Sequence, residues 1–136
     1  MKTLSQAAAR VLDALTAGLR VGGARKIDNS NGAYMAVHVD RLSEATFSVA
    51  HYFKQNGDLV CDPDGVFLKT DLGWLAVTLQ LSTGHYTVAL ELDENDKPTG
   101  WRPRQYKELA SFADMWLRNI DQQQGGISRI RQSTIG

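Results

Sequence analysis

The dipeptide Asn56-Gly57 stands between two strand-like runs and dictates a reversal of the chain. A type I′ turn holds both central residues at positive φ, and asparagine followed by glycine meets that demand with least steric cost. Before it, residues 46–53 alternate so that Phe47, Val49, His51 and Phe53 share one face, and after it Leu59, Val60 and Cys61 fold back as a partner strand. Asp62-Pro63-Asp64-Gly65 is a second cluster of turn formers, with proline presetting φ and glycine closing the corner. A further turn is therefore predicted there, releasing a short strand over 66–69. Runs at 33–39, 74–81 and 86–91 carry the β-branched and aromatic content of additional strands. Connections this short exclude parallel crossovers and leave an antiparallel meander.

Two amphipathic stretches flank these strands. Leu4, Ala8, Val11, Leu12, Leu15 and Leu19 recur at helical spacing and predict a helix over 3–20, with Thr3 and Gln6 as a capping box and Gly22-Gly23 at its close. Leu109, Phe112, Ala113, Trp116, Leu117 and Ile120 form a cleaner stripe and predict a second helix over 105–124. The fold class that follows is α+β, an antiparallel meander sheet of about five to six strands with an N-terminal and a C-terminal helix packed on it. Residues 1–124 read as one domain. Residues 125–136 hold too little apolar content to pack alone and read as a flexible C-terminal tail.

A chain of 136 residues can bury one self-sufficient core. Fifteen Lys plus Arg balance fifteen Asp plus Glu, so no overall field draws the protein to a phosphate backbone, and nucleic acid is not the favoured partner. The single cysteine, Cys61, excludes an intramolecular disulfide and any multi-cysteine zinc site. No apolar run has the form of a signal peptide or the length of a membrane span, and a cytoplasmic setting away from membranes is expected.

His51-Tyr52, Gln55-Asn56-Gly57-Asp58-Leu59 and Asp62-Pro63, followed by Phe112-Ala113-Asp114-Met115-Trp116 and Asn119-Ile120, resemble the pattern of an uncharacterised family of small domains from bacterial plasmids, integrative elements and phages. The resemblance covers residues 26–124. It implies an α+β fold and a mobile-element context, and it brings no activity with it.

Three functional readings compete on the residues themselves. His51, Asn56, Asp58, Asp62 and Asp64 form a candidate polar site in which carboxylates would hold a divalent ion and His51 would move a proton, as in a metal-dependent hydrolase. The spacing lacks the twelfth-position glutamate of an EF-hand loop, and aspartate is also favoured in turns for its bonds to backbone amides, so no metal ligand is assigned. His38, His51 and His85 would need a particular sheet order to meet at zinc. No glycine pattern forms a phosphate loop, and no cofactor is implied. Arg102, Arg104 and Lys107 beside Trp101 and Tyr106 would suit single-stranded nucleic acid, although Asp93, Glu94 and Asp96 just upstream oppose that field. The favoured reading is a non-enzymatic module that binds a protein partner through Trp74, Trp101, Arg102, Arg104 and Tyr106, because Trp, Tyr and Arg dominate binding hot spots. Interference with a host defence system is one use that a mobile-element context suggests. An unpaired edge strand or the second helix leaves room for a homodimer.

Overall fold

The computed structural model describes residues 2–30 and 33–128, and for 53–55 and 58–61 the backbone alone. Helix α1 (Gln6–Thr16) precedes strands β1 (Ala24–Ile27), β2 (Val37–Arg41), β3 (Thr46–Gln55), β4 (Asp58–Thr70), β5 (Gly73–Gln80) and β6 (Tyr86–Val88). These six strands form one antiparallel sheet in chain order. Strands β7 (Leu90–Leu92) and β8 (Pro98–Trp101) form a separate two-stranded sheet, and helix α2 (Pro103–Gln123) follows β8. The α+β meander is thus as the sequence reads.

Both helices pack on one face of the sheet. Phe47, Val49 and His51 alternate onto that face, where His51 meets Trp116 of α2 edge to face at 5.6 Å and Phe47 meets Trp74 at 5.4 Å. Trp74 in turn donates its indole N–H to Asp13 of α1 at 2.9 Å. Leu12, Leu15, Leu117 and Ile120 complete a core that is fully closed to solvent. Register pairs Ala50 with both His38 and Asp64, and Ser48 with Asp40 and Val66, so these residues lie on the opposite face. The β7–β8 hairpin packs near one end of the sheet, where Asp96 accepts hydrogen bonds from Ser43 Oγ and the Ala45 amide.

Local chemistry moves several boundaries. Ser5, not Thr3, caps α1, its hydroxyl accepting from the Ala8 amide at 3.1 Å. α2 begins two residues early because Pro103, lacking an amide hydrogen, suits the first helical turn. Asn56 and Gly57 sit at φ +53° and +85°, as the hairpin requires. The turn expected at Asp62–Gly65 is corrected: those residues lie inside the 13-residue strand β4, with a cis Asp62-Pro63 bond and a register shift opposite His51. Gly65 serves packing there, since a Cβ would sit 3.1 Å from Phe67 and 3.3 Å from Trp116. The packed chain also runs past Gln124, with Ile127 4% exposed and Ser128 bonded to Asp121. The rest of the expected tail, 129–136, lies outside the described residues.

Candidate functional site

The polar residues of the β3–β4 hairpin do not converge. His51 is 6% exposed beneath α2, and its Nε2 has no partner among the described residues. Burial, helped by the neighbouring charge of His38, lowers its pKa below the ordinary histidine value and favours the neutral ring. Asp64 lies on the other face of the sheet and accepts from Ser48 Oγ at 2.9 Å. Burial raises the Asp64 pKa, against the Ser48 bond and with the help of Asp40. Asp62 caps the loop after β5, taking the Ser82 amide and hydroxyl at 3.3 and 2.8 Å. Asn56 is spent on the turn, and the Asp58 side chain lies outside the described residues. Among the described residues no three His, Cys, Asp or Glu are grouped to hold a metal ion. His38, His51 and His85 are likewise apart, on the open face, the covered face and an exposed loop. Cys61 pairs with Tyr52 in register rather than with His51.

The residues expected to bind a partner divide into two groups. Trp74 and Tyr106 are corrected: they are 2% and 4% exposed and belong to the core. Trp74 is needed between α1 and β3, and the Tyr106 hydroxyl donates to the Lys2 carbonyl at 2.5 Å. Trp101 stands 47% exposed at the end of β8. Arg102 and Arg104 are exposed as well, but each faces a carboxylate, Glu91 at 2.9 Å and Glu108 at 3.7 Å. Two of the three cations of the basic cluster, Arg102, Arg104 and Lys107, are thereby paired.

Trp101 forms part of a groove of about 640 Å³ between the N-terminal segment 2–5 and the first half of α2. Pro103 and Ala110 add apolar lining, and Lys2, Lys107 and Ser111 supply polar groups. The floor is rigid. Leu4 donates its amide to the Trp74 carbonyl at 2.9 Å, and Ser5 gives its amide and hydroxyl to Asp114 at 3.3 and 2.9 Å. The sequence hides this groove because residues 2–5 lie far from α2 along the chain. Lys107, Ser111, Asp114 and Arg118 do recur at helical spacing, but a solvated helix face has the same pattern.

No helix is long and apolar enough to cross a membrane. No curated protein and no solved structure matches the chain. A family model for a domain of unknown function, DUF6908, matches residues 6–126, from the first residue of α1 to just beyond α2. That span takes in every helix and strand described above, and the chain belongs to the DUF6908 family.

Proposed function

We propose that the protein is a non-enzymatic binding module that engages a protein partner through the groove walled by Trp101. The observation that carries this reading is a half-exposed tryptophan on a preformed groove whose backbone is already fixed by hydrogen bonds. Large aromatic side chains in such settings bind with little ordering cost. An origin in a bacterial mobile element and action against a host defence system extend the proposal and rest on the motif resemblance, and a cytoplasmic setting extends it on the single cysteine and the lack of a signal-like apolar run. The hydrolase alternative has less support, since His51 and Asp64 occupy opposite faces of the sheet. The nucleic-acid alternative is weakened by the pairing of Arg102 with Glu91 and of Arg104 with Glu108.

Affinity capture from a bacterial host with the intact chain and with Trp101→Ala tests the proposal. A specific protein retained by the first and lost by the second is the expected result. Equal recovery with both chains would reject the groove as the binding surface.

A further inference from the structure

We infer that the groove takes an acidic, extended peptide segment of the protein partner, laid along the seam between α1 and α2 with an aromatic or large aliphatic side chain against Trp101. This inference rests on the groove reading above and adds the chemistry of the occupant.

Asp114, bonded to Ser5, is the last residue of α2 that lines the groove. One helical turn further along α2, Arg118 donates its Nε–H to the Asp114 carbonyl at 3.0 Å and lines a second cleft of about 440 Å³ with Arg10 of α1. Lys2 and Lys107 at one end and Arg10 and Arg118 at the other therefore follow a single seam. Among the described residues none of these four cations forms an ion pair.

The two carboxylates on the same seam are turned to internal work. Asp114 accepts the amide and hydroxyl of Ser5, and Asp121 accepts the amide and hydroxyl of Ser128 at 2.8 and 3.0 Å. Bonds from neutral donors fix these two carboxylates in place but leave each its charge, so the seam carries four cations against two anions. The seam thus offers a local excess of positive charge beside an apolar wall, on a molecule whose basic and acidic residues balance over the whole chain. Complementarity calls for carboxylates spaced along an extended chain with one apolar anchor. Nucleic acid fits less well. It carries a phosphate at every nucleotide, whereas the seam offers four cations spread over two clefts and balanced in part by Asp114 and Asp121.

Fluorescence anisotropy on the full chain tests the occupant directly. The probes are a labelled ten-residue peptide with one Phe among Asp and Glu, the same peptide with Asn and Gln in place of the acids, its Lys counterpart, and a labelled single-stranded DNA decamer. The acidic peptide is expected to bind about tenfold more tightly than the neutral one and to weaken about tenfold in Lys107→Glu/Arg118→Glu and in Trp101→Ala. Raising NaCl to 0.5 M should weaken it too, because exposed charges are screened. All these changes are at exposed side chains, and near-UV circular dichroism verifies the fold of each variant. Equal binding of acidic and neutral peptides, tighter binding of the DNA or the Lys peptide, or no binding of the acidic peptide would each overturn the inference. A partner captured through Trp101 would still uphold the groove reading in any of those cases, so the two failures are distinguishable.

Discussion

His51 shows how one side chain can serve the core while looking like a site. Its neighbours in the strand, Phe47 and Val49, are buried on the same face, and its ring takes its place in that row against Trp116. The cost is an unpartnered Nε2 among the described residues, with Trp116 Nε1 in the same state. An unpaired buried polar atom costs about 1–3 kcal/mol, and a charged one more. The consequence is a pH dependence with a definite sign. The folded pKa is lowered, so below about pH 6.5, the ordinary histidine value, the unfolded chain takes up a proton that the folded chain refuses. Stability therefore falls with pH from there until the folded pKa is passed. His38, lowered by burial and Lys26 against the pull of Asp40, acts in the same direction. Asp64 acts oppositely and at lower pH, because its raised carboxyl pKa lets the folded state bind the proton first. Thermal melts at pH 7.5 and 5.5 should show a lower midpoint in acid, and His51→Leu should shrink that difference while changing stability at pH 7.5 by no more than about 1 kcal/mol. An undiminished pH effect in the variant would show that His51 is not its source.

Gln124 does for the elements what no motif announces. It is fully buried just after α2, where its Oε1 accepts the Asn29 amide at 2.6 Å and its Nε2 donates to the Met35 carbonyl at 3.3 Å. One amide thus pins the segment between β1 and β2 to the end of α2. Gln124→Ala should destabilise the protein by about 1–3 kcal/mol, read as a lower urea midpoint at unchanged m. A shift within error would mean that water replaces both bonds freely. The sequence shows only a glutamine at a helix end, because its partners lie 95 and 89 positions away in the chain. The same distinction runs through the fold. Asn56-Gly57 was legible since its φ demand is local, and both helical stripes were legible from their spacing. Asp62–Gly65 was misread because pairing with β3 and β5 overrides turn propensity there. Strand β1, four residues long and alternately exposed, has no apolar run to reveal it. The candidate groove was half legible: Trp101 stood out as an aromatic in a polar stretch, whereas Lys2 and Asp114 meet it only through tertiary packing.

The first residues bind the layers of the molecule into one cooperative body. Leu4 is 6% exposed in the core and pairs its amide with β5 through the Trp74 carbonyl, while the Lys2 carbonyl receives the buried Tyr106 hydroxyl of α2. Ser5 both caps α1 and bonds Asp114 of α2. Sheet and both helices are therefore joined through four consecutive residues, and the same residues form one side of the groove. Residues 2–5 are thus tied to the sheet and to both helices. Losing a buried leucine costs about 2–5 kcal/mol, and losing a helix cap about 1 kcal/mol more. Those losses are a large part of the 5–15 kcal/mol that typically holds a domain together. A chain beginning at Gln6 should therefore melt about 10 °C or more below the intact protein. The single substitution Leu4→Ala should account for most of that drop. If the shortened chain melts at the same temperature, the N-terminal segment is a lid resting on a finished core, and the groove it helps to form would open without cost to the fold.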